Sequence, residues 1–183
     1  INIIGRLIEL FSGIKFDEFL QRKLFDPLKM ENTTFIPNEQ QLEKLAITYS
    51  SKNGHLMPIK LGFTYPLSCK NRVALPFGGL FSTAIDLAHF CQMCLNGGEL
   101  YGHRFISKAT MDSMVIRRSS KSSFGIGWYI YDNGSYGHNG AYNTDMTIHP
   151  SLGLVSISLV QVTPSHKCRS ILREKIWEEE NIN

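Results

Sequence analysis

The first two thirds of the chain show the hydrophobic period of helices. Ile4, Leu7, Ile8 and Phe11 follow the i, i+3, i+4, i+7 rule, and Gly13 is placed to end that helix. The next apolar stripe predicts a second helix over 16–26, stopping before a proline. Further helices are predicted at three places: over 40–46, from the capping Thr83 to Asn96, and over 107–115 with Ser107 as N-cap.

The period changes from 3.6 to 2 after residue 122, which indicates strands. Strands are predicted over 124–131, 135–141, 143–149 and 154–160, with Asp132-Asn-Gly134 as a hairpin signal. Cys168, Ile171, Leu172 and Ile176 then predict a closing amphipathic helix. Between the two parts, residues 48–79 have little periodicity and are expected to form a long irregular loop.

This order of elements predicts an α+β fold: helices, then an antiparallel meander, then a helix. The 183 residues suit one domain, with a mainly helical region over 1–121 and strands plus a helix over 122–183. Apolar residues make up 43% and charged residues 19%, as in ordinary globular proteins. The net charge is +3, and the basic residues form no patch that also contains aromatic residues. Nucleic acid is therefore not an expected partner. No apolar run approaches ~20 residues, so no transmembrane helix is expected.

Two cysteines have the spacing of a redox or zinc pair, Cys91-Gln-Met-Cys94. Both fall on the apolar stripe of a predicted helix, which favours free buried thiols. A zinc site would need two more ligands at matching spacing, and the histidines supply no such pattern. We therefore expect neither a metal nor a cofactor.

One segment of the predicted meander combines strand spacing with residues that weaken a strand. It reads Ser135-Tyr-Gly-His-Asn-Gly-Ala-Tyr-Asn-Thr144, so His138 and Asn139 stand between two glycines. One interpretation is a strand histidine satisfied by a neighbour. The other is a site, because the bare backbone at Gly137 and Gly140 lets a ligand approach and a histidine can supply a hydrogen bond or a proton.

Alternation along this strand would place His138 and Gly140 on one face and Asn139 and Ala141 on the other. One side chain would then point toward the body of the protein and the next toward a ligand. Tyr142 follows closely and is a candidate pocket residue, although hairpin packing explains it equally well.

Four segments, in this order, resemble the serine β-lactamase-related hydrolases, which include class C β-lactamases, D-alanyl-D-alanine carboxypeptidases and related esterases. They are Ile3-Ile-Gly-Arg-Leu-Ile-Glu-Leu-Phe-Ser-Gly13, Phe25-Asp-Pro-Leu-Lys-Met30 with Thr33-Thr-Phe35, Pro76-Phe-Gly-Gly-Leu-Phe-Ser-Thr83 with Asp86-Leu87, and Tyr136-Gly-His-Asn-Gly140. Lys29 stands where the family usually has Gly. The last segment resembles the family's third catalytic motif, Lys/His-x-Gly.

The resemblance implies acyl transfer through a serine. By position, His138 would assist proton transfer or position the substrate. Asn139 would face the substrate with Tyr142 nearby, and Gly140 would let it approach. The amide of Ala141 would be one oxyanion donor, typically worth ~3–4 kcal/mol of barrier. The partners implied are small-molecule or peptide substrates.

The family's Ser-x-x-Lys and Tyr-x-Asn motifs are expected to be absent, together with its first helix and first two strands. We therefore expect a C-terminal portion that is inactive alone and needs an N-terminal part of the fold. Histidine in place of lysine, being mostly uncharged near neutral pH, favours an esterase or peptidase over a β-lactamase. The alternatives are a non-catalytic relative that binds peptide or cell-wall ligands, and an unrelated α+β scaffold.

Overall fold

A computed structural model describes residues 1–60, 67, 72–164, 175, 176 and 178. The helices in these ranges are α1 (Asn2–Ser12), α2 (Phe16–Leu20), which continues as a π-helix over Gln21–Phe25, α3 (Glu39–Glu43), α4 (Ala84–Leu95) and α5 (Lys108–Met114). The strands are β1 (Thr48–Lys52), β2 (His55–Ile59), β3 (Glu99–Leu100), β4 (His103–Arg104), β5 (Tyr129–Ile130), β6 (Tyr136–Asn139), β7 (Thr144–His149), β8 (Leu154–Leu159) and β9 (Val162–Thr163). Most of the predicted closing helix, including Cys168, Ile171 and Leu172, lies outside the described residues.

The predicted helices within the described ranges are confirmed, and so are the caps predicted for three of them. Gly13 ends α1 at a φ of 73°, a left-handed conformation that favours glycine. Ser107 caps α5 by accepting a hydrogen bond from the Thr110 amide at 3.0 Å. Thr83 accepts from the Asp86 amide at 3.2 Å at the start of α4. Side-chain oxygens therefore satisfy amides that have no partner within the helix.

The chain divides into two compact units. The first contains residues 1–46 and 60–86, and the second contains 47–59 and 87–183, so the division falls within α4. The second unit carries the four-stranded antiparallel meander in the order β5-β6-β7-β8. The meander confirms the prediction of consecutive antiparallel strands.

The buried carboxylate of Asp86 organises the first unit. It accepts hydrogen bonds from the Asn32 amide at 2.8 Å and the Thr33 hydroxyl at 2.7 Å. The same hydroxyl lies 2.7 Å from that of Ser82. Thr34 and Phe81 pair beside them as an isolated bridge. Two of the segments on which the family resemblance depends are thus bound to each other through one buried polar cluster.

One side of helix α1 contacts neighbouring segments through Gly5, Asn2 and Glu9. A Cβ atom on Gly5 would lie 2.2 Å from Cγ of Pro76, so only glycine fits there. On the same side, Asn2 accepts from the Phe77 amide at 3.2 Å and Glu9 accepts from the Phe16 amide at 3.1 Å. Ile8 is half-buried, whereas five large apolar residues on the opposite side are exposed: Ile3, Ile4, Leu7, Leu10 and Phe11.

The core of the second unit is built around Trp128. Its ring stacks on Phe90, with 6.0 Å between centroids, and meets Tyr136 edge-on at 5.2 Å. Ile148 of the meander is fully buried. The register pairs Ile148 with Val155 and Met146 with Ile157, so the apolar side chains of β7 and β8 share one face, as predicted.

Residues 48–59 form a hairpin and are not irregular as expected. Strands β1 and β2 pair antiparallel, and Asn53 and Gly54 join them with φ of 51° and 79°. Asn-Gly is a strong signal for such a turn and was missed because the flanking residues do not alternate clearly. β1 also pairs with β9, where the Tyr49 amide donates to the Gln161 carbonyl at 2.8 Å.

β2 is the outer strand of this three-stranded sheet, and Tyr49 faces its Pro58 across the ladder. All five of its residues are exposed. The predicted loop also includes residues 61–66 and 68–71. These lie outside the part of the chain that is described.

Candidate functional site

The predicted site residues lie where β6 turns into β7. The strand was expected to run to Ala141, but it ends at Asn139. Residues 140–143 form a tight turn, in which Gly140 donates to the Thr144 carbonyl at 2.9 Å and Asn143 donates to the Gly140 carbonyl at 3.2 Å. The predicted alternation therefore applies to His138 and Asn139, whereas Gly140 and Ala141 belong to the turn.

The imidazole of His138 is exposed at the end of β6. It lies on the sheet face of Met146, whereas Asn139 lies on the face of Asp145. Nδ1 of His138 is 3.0 Å from the Asn139 carbonyl oxygen. In the neutral ring Nδ1–H must donate to this carbonyl, and Nε2 then keeps its lone pair and can accept a proton.

Ala141 is exposed, and its amide donates no hydrogen bond to any part of the chain described here. In the same turn, the amides of Gly140 and Asn143 are both engaged in backbone hydrogen bonds. A free N–H next to an exposed imidazole is the combination that can bind a carbonyl oxygen and handle a proton.

The residues after Ala141 attach the turn to the sheet. Tyr142 is half-buried, and its carbonyl accepts from the Val162 amide at 3.2 Å. Asn143 is buried with a φ of 65°, and its side-chain amide donates to the Val162 carbonyl. Asn143 therefore packs inward against Val162 of β9. Asparagine tolerates the left-handed conformation better than most residues.

The two glycines beside His138 have different surroundings. A Cβ atom on Gly137 would lie 2.3 Å from the Met146 carbonyl oxygen, a backbone atom. A Cβ atom on Gly140 would lie 2.3 Å from Oγ1 of Thr144, a side-chain atom. Close packing within the hairpin thus explains Gly137, while the neighbour of Gly140 is a side chain that can be removed.

Three titratable side chains in the core of the same unit, unlike the exposed His138, are buried. Burial is the main cause that raises the pKa of the Tyr136 phenol, so this ring beside the site stays protonated at neutral pH. Cys91 and Cys94 are free and buried, as predicted. Burial raises the pKa of each thiol to about 12, so neither is a nucleophile near neutral pH.

The expectation that the chain contains no Ser-x-x-Lys is wrong by sequence, because Ser12-Gly-Ile-Lys15 has that spacing. On a continuous helix this spacing places both side chains on one face. Here Gly13 ends α1 directly after Ser12, and the Ser12 hydroxyl contacts the backbone of Ile14 at 3.4 Å. No hydrogen bond joins Ser12 to Lys15 in the described structure, so the pair is not arranged as a nucleophile and its base.

Tyr-x-Asn is also present by sequence, as Tyr131-Asp-Asn133. These residues form the turn between β5 and β6. The Tyr131 amide donates to the Ser135 carbonyl at 2.9 Å, and Asn133 accepts from the amide and hydroxyl of Ser135. Both side chains are thus placed by a hairpin turn of the predicted Asp-Asn-Gly type.

Among the described residues, no three His, Cys, Asp or Glu side chains are grouped as metal ligands would be. No helix in these residues is long and apolar enough to cross a bilayer. A cavity of about 720 Å³ lies in the first unit, and none of the five predicted site residues lines it.

Comparison with known proteins gives the evolutionary relationship. A family model described as Beta-lactamase matches residues 1–180. Penicillin-binding protein 4 of Amycolatopsis lactamdurans is 30% identical over 173 residues, which cover 86% of this chain and 44% of that protein. The chain therefore spans less than half the length of this curated relative.

Solved structures show the same fold. A mutant of simvastatin synthase from Aspergillus terreus superposes with a TM-score of 0.80 at 19% identity, covering 94% of this chain and 51% of that one. EstCE1, described as a hydrolase with promiscuous acyltransferase activity, gives a TM-score of 0.73 at 18% identity, covering 87% and 49%. With a family model that matches almost the whole length, residues 1–183 belong to the beta-lactamase family of serine hydrolases.

Proposed function

We propose that this chain forms one wall of the active site of a serine acyl hydrolase, at the β6–β7 turn. One observation carries the proposal: the exposed imidazole of His138 is followed closely by the free amide of Ala141. In a family of serine hydrolases, these are the groups that an acyl-transfer site needs opposite its nucleophile.

Each residue of the turn has a chemical role in this proposal. Nε2 of His138 accepts a proton or hydrogen bond from the reacting groups, because Nδ1 faces the Asn139 carbonyl. The Ala141 amide donates to the oxyanion that develops on the substrate carbonyl. The exposed Asn139 side chain binds the substrate through its amide group, and Tyr142 lies beside it. Gly140 leaves room for the substrate backbone.

The nucleophile comes from outside residues 1–183 in this proposal. Ser12 and Lys15 are separated by the end of α1 and do not substitute for it. The chain then acts as the C-terminal part of one β-lactamase-like domain and is inactive without the rest. Its coverage of 44% of the length of the Amycolatopsis relative supports this division.

The substrate we propose is an ester or a peptide-like amide. A lysine in the position of His138 would place a fixed positive charge beside the substrate, which suits a carboxylate-bearing β-lactam or peptide. Histidine is mostly uncharged near neutral pH and removes that preference. The reaction proceeds through an acyl-enzyme that water resolves.

A covalent probe tests the proposal. The polypeptide that contains residues 1–183 together with the remainder of its domain is treated with a fluorophosphonate or a fluorescent penicillin, and the modified residue is located by peptide mass spectrometry. We expect one labelled serine outside residues 1–183, and slower labelling in the His138→Ala variant. Labelling of Ser12, or equal rates in both proteins, would contradict the assignment.

The same experiment decides the competing function, a non-catalytic protein that binds peptide or cell-wall ligands. In that case neither probe forms a covalent adduct, yet peptide ligands still bind in a calorimetric titration. Binding that is lost in Asn139→Ala without any serine adduct would support this alternative.

A further inference from the structure

The direction of the Ala141 N–H is set by the peptide unit that Ala141 shares with Gly140. The carbonyl of this unit accepts a hydrogen bond from the Asn143 amide at 3.2 Å. In a planar trans peptide the carbonyl and the N–H point in opposite directions. The Ala141 N–H therefore points away from Asn143, and the position of the Asn143 backbone determines where this free amide is aimed.

The side chain of Asn143 in turn fixes that backbone. Asn143 has a φ of 65°, outside the β region, so its own backbone does not continue a strand. Its side-chain amide instead donates to the Val162 carbonyl, while the Val162 amide donates to the Tyr142 carbonyl at 3.2 Å. Both backbone groups of Val162 thus bind the turn, and the Asn143 side chain replaces the backbone donor that a strand would supply.

Regular structure lies on both sides of this turn. Val162 belongs to β9, which pairs with β1 at Tyr49. At the start of β7, the Thr144 carbonyl accepts from the Gly140 amide at 2.9 Å. Ala141 therefore lies between two points that are held by sheets. Asn143, of which only 2% is exposed, closes the link to β9 from the inside.

We infer that Asn143 is a positioning residue for the oxyanion donor: its side chain, bound to Val162, holds the turn so that the Ala141 N–H is aimed at the substrate carbonyl. The inference rests on the proposed function, because only an acyl-transfer site uses this amide. Asn143 contacts no reacting atom and acts through the Gly140–Ala141 peptide. A purely structural Asn143 would stabilise the hairpin without affecting the reaction.

Asn143→Gly tests the inference in the polypeptide that contains residues 1–183 together with the remainder of its domain. Glycine adopts positive φ without strain, so the substitution removes the side-chain hydrogen bond and keeps the backbone conformation accessible. Hydrolysis of p-nitrophenyl acetate is measured, and kcat is expressed per serine labelled by a fluorophosphonate. We expect kcat to fall about 10-fold or more, part of the roughly 100- to 1,000-fold effect of one oxyanion donor, with KM within about twofold.

Asn133→Gly is the matched control. Asn133 also lies in a turn of the meander and binds backbone, because its side chain accepts from the Ser135 amide at 3.0 Å. Its turn precedes β6, whereas the Ala141 turn follows that strand. Both variants should lose Tm, but Asn133→Gly should leave kcat per labelled serine within about twofold of the unsubstituted protein.

Two further measurements respond to a misdirected donor but not to a loss of stability. Phenylboronic acid forms a tetrahedral adduct with a reactive serine, so its inhibition constant should rise in Asn143→Gly by about the factor by which kcat/KM falls. The pH at which kcat is half-maximal should stay the same, because His138 is unchanged. If Asn143→Gly does not fold, Asn143→Asp replaces it, since a carboxylate of the same shape cannot donate to the Val162 carbonyl.

The outcomes separate this inference from the proposed function. If Tm falls in Asn143→Gly while kcat per labelled serine and the inhibition constant stay unchanged, Asn143 only stabilises the hairpin. The inference is then overturned, and the hydrolase function stands. If the unsubstituted protein neither hydrolyses the ester nor reacts with the fluorophosphonate, the proposed function itself fails, and the role of Asn143 fails with it.

Discussion

The carboxylate of Asp86 and the end of β6 both belong to segments that resemble the β-lactamase family, yet they differ in burial and hydrogen bonding. Asp86 is buried and accepts from both Asn32 and Thr33. His138 is exposed, and the Ala141 amide next to it is free. A buried group that already binds two donors of the chain is closed to a ligand, whereas an exposed imidazole and a free amide are accessible to one. The first segment therefore stabilises the fold, and the second is available for chemistry.

The largest expected effect is on turnover, from His138→Ala in the polypeptide with the whole domain. If His138 has the proposed role, the substitution removes a proton-transfer group and should lower kcat by about 100- to 1,000-fold. Because the imidazole is exposed and its recorded hydrogen bond is to its neighbour's carbonyl, Tm should change by less than about 2 °C. Steady-state kinetics and thermal unfolding measure the two quantities, and equal proportional loss of both would make His138 a structural residue.

Asp86→Ala should show the opposite profile, a loss of stability. Two donors would lose their buried acceptor, at a cost of about 2–4 kcal/mol in the free energy of unfolding. Urea denaturation measures the loss. Asp112→Ala is the control, because that carboxylate forms an exposed pair with Lys108 and should contribute less than about 0.5 kcal/mol. A neutral Asp86→Ala would remove the distinction between the two segments.

A double substitution separates packing from substrate access at Gly140. Gly140→Ala should cost about 1–3 kcal/mol, because its Cβ would meet Oγ1 of Thr144. Thr144→Ala removes that oxygen, so Gly140→Ala in the Thr144→Ala background should cost much less stability. If Gly140 also admits the substrate, activity stays low in the double variant. Recovery of both stability and activity would limit Gly140 to a packing role.

The smallest expected effect concerns Cys91 and Cys94. Like Asp86, these two residues are buried, but they belong to the second unit. Since burial raises their pKa from 9.0 to about 12, the folded state keeps both thiols protonated where the unfolded chain would ionise. Their contribution to stability is full below pH 9 and is lost as the pH rises toward 12. The free energy of unfolding, measured between pH 8 and 11, should therefore fall as the pH rises. In the double variant Cys91→Ala, Cys94→Ala, it should fall less steeply. Iodoacetamide labelling of both at pH 8 in the folded protein would contradict the burial.

The sequence predicted local features best where one residue type has one physical role. Gly13 and Ser107 were identified as caps because glycine adopts positive φ and a serine hydroxyl can accept from a helical amide. The end of β6 was misplaced by two residues, because the turn depends on a hydrogen bond from Gly140 to Thr144 that no local pattern specifies. The periodicity of α1 predicted its apolar stripe correctly but gave no sign of which side would face inward.

The candidate site was predictable as a segment but not as a geometry. His138, Asn139 and Gly140 were proposed as candidates from their residue types and from the family resemblance. That the Ala141 amide is free, or that Asn143 serves packing, depends on the path of the turn and on its contact with Val162. The sequence matches to Ser-x-x-Lys at Ser12 and to Tyr-x-Asn at Tyr131 show the opposite problem. A short motif can occur by chance where the backbone gives its residues another role.

The pairing of Pro58 with Tyr49 determines which backbone groups the outer strand of the three-stranded sheet presents to other molecules. The Tyr49 amide donates to Gln161, on the β9 side of β1, and therefore points away from Pro58. In such an antiparallel pair the backbone groups of the two residues face away from each other, so the nitrogen of Pro58 faces the outer edge of the sheet. An approaching strand from another molecule would find no donor at that point, although Leu56 and Met57 beside it are exposed. Proline thus removes one hydrogen-bond donor from an exposed strand edge that could otherwise pair with another molecule. Pro58→Thr would restore the donor and favour edge-to-edge aggregation at high concentration.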